Sequence, residues 1–326
     1  MEQRLVLSSS PHIRSTDSIS RIMRDVVIAL TPAALYGFYR FGLPAIMVTL
    51  VSILTAVGTE ALIQKLKGQE VTINDWSAVV TGLLLAMNMP ASSPWWLAVI
   101  GSAFAIAIVK HAFGGLGHNF MNPALAARAM LMASWPVRMT AWTQPGAFPV
   151  DAVSTATPLA MLKETYQFNI AEAMSNASYN VPSLWQVFEG NVGGSLGETS
   201  ALLLILGGLY LVWRKVISIR IPAIFIGTVA VLTFFMGGFE PMLTLYDLFA
   251  GGLMLGAFFM ATDYASSPIN PRGQVIFAVG CGLLTAVIRF YGGYPEGVSY
   301  SILLMNVAAP LIERYTTPRV FGGGKA

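Results

Sequence analysis

The chain has 326 residues, of which 55% are hydrophobic and only 11% charged, against roughly 25% charged in an average soluble protein. With a mean hydropathy of +0.64, it cannot cover a soluble surface of this size, so two soluble domains are excluded and an all-α polytopic membrane protein is expected. The net charge of +3 is read as bases flanking membrane spans rather than as a nucleic-acid surface, so no nucleic-acid partner is expected.

Residues 1–21 are polar and lack the apolar core of a signal peptide, which predicts a cytoplasmic N-terminal segment and no cleavable leader. Apolar stretches follow at 22–39, 43–66, 76–89, 95–111 and 122–135, and then at 198–213, 221–238, 243–261, 274–291 and 298–312. The stretches 76–89 and 122–135 are short and predict half-helices or tilted segments, tolerated in a bilayer where protein buries the broken backbone. The reading is therefore about ten transmembrane helices: a first repeat over 22–135, a polar loop over 136–197, a second repeat over 198–313 and a tail over 314–326. Lys and Arg settle the orientation. Arg21 and Arg24, Lys65 and Lys67, Lys110, Arg214 and Lys215, Arg272 and Arg314 all fall on the side of the N-terminus. That makes both termini cytoplasmic and the 136–197 loop extracytoplasmic.

The two halves resemble one another. TGLLLAMNMPASSP (81–94) precedes KHAFGGLGHNFMNPALAAR (110–128), and GGLMLGAFFMATDYASSP (251–268) precedes IRFYGGYPEGVSYSILLMNVAAPLIER (288–314). Each half runs from Gly-Leu-x-Leu to Ala-Ser-Ser-Pro, then through a span to aromatic-Gly-Gly and a helix carrying Asn. Five spans per half place the copies in opposite orientations, giving two inverted five-helix repeats with broken helices meeting near the midplane.

The polar loop contains DAVSTATPL (151–159). On its own this is a run of small hydroxyl residues in which Asp151 or Ser154 caps a short helix, with Thr157 held extended before Pro158. It offers a reachable hydroxyl on the outer side. The segment also resembles the signal for covalent flavinylation, matching at Asp151, Ser154, Ala156 and the acceptor Thr157, while Thr155 stands where Gly or Ser is usual.

The whole chain resembles the NqrB/RnfD family, through SPHIRSTDSISRIMRDV, GGLGHNFMNPALAARAML, the flavin motif and DYASSP. The Rnf branch, the D subunit of the ion-translocating ferredoxin:NAD⁺ oxidoreductase, is preferred, because few residues precede the first span. The B subunit of the sodium-translocating NADH:quinone reductase usually carries more. The resemblance implies a membrane electron-transfer subunit, without complete turnover alone, in a bacterial or archaeal plasma membrane. It implies FMN on Thr157, attached by an ApbE-type flavin transferase, and a non-covalent riboflavin. The implied partners are the A, B, C, E and G subunits of Rnf, above all the extracytoplasmic flavoprotein G, and the coupled ion is Na⁺ or H⁺. One cysteine, Cys281, and three histidines leave iron–sulfur clusters to those partners.

Asn88, Asn119, Asn122 and Asn306, at the helix breaks, are the candidate riboflavin partners; amides there also cap helices. Glu60, Arg128 and Asp247 fall within or beside spans and are candidates for an ion path, flavin anchoring or subunit-contact ion pairs. Asp25 and Asp263 lie at interfaces where solvent accounts for them. A flavin-free inverted-repeat transporter or channel is the competing reading.

Overall fold

A computed structural model of the chain describes residues 17–146, 157–165, 182–198, 200–293 and 297–318. Helix α1 (Ile19–Phe41) begins at Ser18, whose hydroxyl accepts from the Arg21 N–H, and it ends at Gly42. Then come α2 (Leu43–Leu66), α3 (Ser77–Met87), α4 (Trp95–Phe104) with its π-helical continuation Ala105–His111, α5 (Pro123–Ser134) and α6 (Pro136–Met139). Two short helices follow, α7 (Pro158–Thr165) and α8 (Leu184–Glu189), and a 3₁₀ turn at Leu196–Glu198. The second half holds α9 (Ala201–Trp213), α10 (Arg220–Met236), α11 (Pro241–Phe249), α12 (Leu253–Leu255) running into a π-helical turn Gly256–Met260, α13 (Pro271–Tyr291) and α14 (Val298–Thr316). Proline opens α5, α6, α7, α11 and α13, the position where its missing N–H removes no helical bond.

Among the described residues three helices, α1, α2 and α13, are long and apolar enough to cross a bilayer, and the bent pair α11–α12 makes a fourth when counted as one span. Leu35, Leu54, Leu206 and Phe235 face outward from their helices, as expected where lipid is the solvent. The stretch expected as a span over 243–261 is present as two pieces bent by 64°. Ala250-Gly251-Gly252 breaks it, with Gly251 at φ +71. The half-helix expected at 76–89 is present as α3 and that at 122–135 as α5.

Helix α2 packs on α3 and α4, and α10 packs on α11 and α13. The halves meet where α1 lies on α9 and α5 on α14. Gly207 lets α9 approach α1: a side chain there would run into the Ala29 carbonyl. Small residues at a crossing are how apolar helices associate without a hydrophobic driving force. Cys281 is a buried core residue of α13.

Candidate functional site

Between the halves, the extended chain after α3 is bridged to the stretch before α9, Pro90 pairing with Ser195. The Leu196 N–H donates to the Met89 carbonyl at 3.1 Å. The 3₁₀ turn Leu196–Glu198 is thereby wedged against the broken end of α3. On the other side of this wedge lies the break between α11 and α12.

Thr157 docks next to that second break. It is 3% exposed, and its hydroxyl accepts from the Ala160 N–H at 3.2 Å, so Thr157 itself caps α7. The hydroxyl expected to be open is therefore covered. Asp151, Ser154 and Ala156 lie outside the described residues. Leu159 explains the burial: it packs with Val187, Val192, Leu243, Tyr246 and Ala250 and fills the space where Gly251 would carry a Cβ.

The four candidate amides are all buried, and they stitch the two repeated motifs together. The Asn122 side-chain oxygen accepts from the Ala124 and Leu125 N–H groups at 3.0 and 3.2 Å, capping α5. Its Nδ2 donates to the Met260 carbonyl at 3.4 Å. Asn306, oriented by its partners, donates to the Ile302 and Ser266 carbonyls and accepts from the Asn122 N–H. Asn119 donates to Asp263 Oδ2 at 3.3 Å, and Ser266 donates to the same oxygen at 2.8 Å. Burial pushes the Asp263 carboxyl up, and hydrogen bonds from Ser266, the Ala265 N–H and Asn119 pull it back. Solvent alone therefore does not account for Asp263.

Beside this seam opens a cleft with a cavity volume of about 100 Å³. Phe258, Phe259, Leu84, Val80 and Leu211 form apolar walls, and Asn119, Asn122, Thr262, Asp263, Ser77 and Lys110 supply polar groups. Asn119 and Asn122 thus line this cleft. Asn88 and Asn306 do not: Asn88 accepts from Arg128 Nη1 at 2.7 Å and donates to the Leu84 carbonyl at 2.7 Å.

The candidate charges have partners within the chain. Glu60 holds Lys110, whose Nζ lies 2.8 Å from both carboxylate oxygens and 2.7 Å from Ser77 Oγ. Asp247 holds Arg289 at 2.9 Å, and the same guanidinium donates to the Asp247 carbonyl at 2.6 Å. Lys110, assigned above to a cytoplasmic flank, is buried, and so is Arg289 near the end of α13. Asp25 is likewise partnered, accepting from Arg214 Nε and Nη2 at 3.1 Å. Lys110, Arg289, Ser77 and Glu198 escaped the sequence reading. A basic residue two or three positions before aromatic-Gly-Gly in both halves was the available signal.

Known proteins resemble this chain along nearly its whole length. It is 53% identical over 98% of its length, and 96% of the relative's, to the D subunit of the Na⁺-translocating ferredoxin:NAD⁺ oxidoreductase complex of Acetobacterium woodii. It is 49% identical, over 97% of its length and 96% of the relative's, to the D subunit of the proton-translocating ferredoxin:NAD⁺ oxidoreductase complex of Clostridium ljungdahlii. It is 40% identical, over 94% and 92%, to the D subunit of the ion-translocating oxidoreductase complex of Stutzerimonas stutzeri. The model of the NQR2, RnfD, RnfE family matches residues 6–322, and with these relatives it shows that the chain belongs to that family.

Proposed function

We propose that the chain is the D subunit of an Rnf-type complex, an electron-transfer subunit that couples ferredoxin:NAD⁺ electron transfer to movement of Na⁺ or H⁺. It carries FMN through a phosphoester to Thr157 and riboflavin in the cleft beside Asn119 and Asn122. A bound flavin supplies one- and two-electron transfer. The chain supplies position and electrostatics. Thr157 is the observation that carries the reading: its alcohol stands at the motif's acceptor position and at the N-terminus of α7, where a phosphate would be favoured by the helix N–H groups. In the cleft, Phe258 and Phe259 would exclude water, Asn119 and Asn122 are held fixed by their own hydrogen bonds, and Lys110 contributes a positive charge.

About ten crossings in two inverted repeats complete the reading, with both termini cytoplasmic and the Thr157 loop extracytoplasmic. The pairing of α1 with α9 and of α5 with α14 supports it, since first and fifth helices meet their counterparts. Glu60, Asp247 and Arg128 are the charges we assign to the ion path. Glu60 is held by Lys110, Asp247 by Arg289 and Thr233, and Arg128 donates to Asn88. The A, B, C, E and G subunits are the partners, with G handing over electrons on the outer side, and a flavin transferase matures Thr157.

The test is in-gel flavin fluorescence of the denatured chain after co-expression with a flavin transferase. Thr157→Ala abolishes the band and Thr155→Ala retains it. A wild-type chain without fluorescence sinks the flavoprotein reading and leaves the flavin-free transporter.

A further inference from the structure

We propose that Glu198 and Ser195 form the recognition site for the imide edge of the flavin carried on Thr157, an inference that rests on the covalent-FMN reading above. Among the described residues the buried carboxylates of Asp25, Glu60 and Asp247 each have a cation within 3.1 Å. Glu198 is 5% exposed, and its Oε1 has no hydrogen-bond partner among the described residues. The Ser195 hydroxyl, 1% exposed, stands beside the same carboxylate. A carboxylate oxygen left bare is costly in a buried site unless another group belongs there.

The turn that carries both residues is held in place by its own backbone contacts. The Leu196 N–H is bound to Met89, and the Glu198 N–H donates to the Ser195 carbonyl at 3.0 Å. Gly197 is pressed against α3, where a Cβ would come within 2.8 Å of the Met87 carbonyl. The carboxylate itself lies between two glycines. A Cβ on Gly194 would stand 2.6 Å from Oε2, and one on Gly252 would stand 3.9 Å from Oε1. The guanidinium groups of Arg128 and Arg289 act on Glu198 electrostatically.

Thr157 is tethered close to this cradle. Two residues on, Leu159 rests on Gly251, the immediate neighbour of Gly252. The flavin ring presents an N–H donor between two carbonyl acceptors. Its complement is an acceptor flanked by donors, which Glu198 Oε1, the Ser195 hydroxyl and the nearby Arg128 provide. A bare cation on Glu198 is the rival occupant, and the positive field of the two arginines disfavours it.

The experiment uses the whole purified complex with Glu198→Gln. Loss of the negative charge makes the Thr157-linked flavin easier to reduce, by about tenfold in its reduction equilibrium, which is about +59 mV for one electron. The flavin carbonyl bands in redox difference infrared spectra move, while the fluorescent gel band persists because attachment is at Thr157. Ser195→Ala moves the carbonyl bands with little change in potential. Should Glu198→Gln not assemble, Glu198→Asp, which withdraws the carboxylate by one methylene, carries the same readouts. Wild-type potentials and unmoved bands in these variants overturn the inference, as does a loss of Na⁺ dependence with an unchanged flavin, which would place a cation on Glu198. Absence of a fluorescent band in the wild type is a different result and removes the covalent-FMN reading instead.

Discussion

Two buried ion pairs, one in each half, solve the same problem with the charges dealt out differently. In the first half the acid, Glu60, is on α2 and the hydroxyl, Ser77, opens α3. In the second half the hydroxyl, Thr233, is on α10 and the acid, Asp247, is on α11, with Thr233 donating to Asp247 at 3.1 Å. The cation comes each time from the end of the helix after the break, Lys110 or Arg289. What the halves share is a cation on one acid with a hydroxyl on the neighbouring helix, Ser77 accepting from the cation and Thr233 donating to the acid. Which helix bears the acid is exchanged, so aligning the halves residue by residue hides the likeness. The cations also suit their surroundings. Lys110 directs its ammonium at three oxygens, one for each N–H, whereas the planar fork of Arg289 spans a carboxylate and two carbonyls.

The comparison can be broken most sharply by Glu60→Gln. It leaves Lys110 buried without a counter-charge, and thermal unfolding in detergent should register a loss of about 3–5 kcal/mol. If the two arrangements are interchangeable, Glu60→Thr combined with Ser77→Asp rebuilds the second-half pattern in the first and recovers most of that loss; a double variant as unstable as Glu60→Thr alone would end the equivalence. Next in size is Arg289→Lys, which keeps the charge but not the fork. It should cost about 1–3 kcal/mol by the same measurement, and a silent Arg289→Lys would mean that the carbonyl contacts are idle. The smallest effect belongs to Thr233→Val, which removes one donor to Asp247 and should cost about 0.5–1.5 kcal/mol. An equal loss from Thr233→Val and Arg289→Lys would show that the hydroxyl, not the guanidinium, holds the acid.

Much of the helical framework could be read from the chain because apolar length and proline placement are local signals. The run at 43–66 became α2, and Pro123, Pro241 and Pro271 mark helix starts. The break at Gly251 was not foreseen, because Gly-Gly in an apolar run also serves close packing, and what opens it is Leu159 arriving from a distant segment. The burial of Lys110 was missed for a similar reason: a base after Ala-Ile-Ala-Ile-Val looks like the solvated end of a span, while its partner lies 50 residues earlier. Asn119 and Asn122 were legible as polar groups at helix breaks, since amides there must bond something. Asn88 and Asn306 looked the same in sequence, and tertiary neighbours alone send them elsewhere.

The π-helical stretch Ala105–His111 has a bearing on how such a site arises. A π turn accommodates one residue more than an α turn, so the direction in which Lys110 points depends on chain length as much as on residue type. Deleting one residue anywhere between Trp95 and Ala105 would turn position 110 by about 100° around the helix. The ammonium would then leave Glu60 without any residue of the pair having been replaced. An insertion or deletion in this helix, silent in composition, is therefore a frameshift of charge.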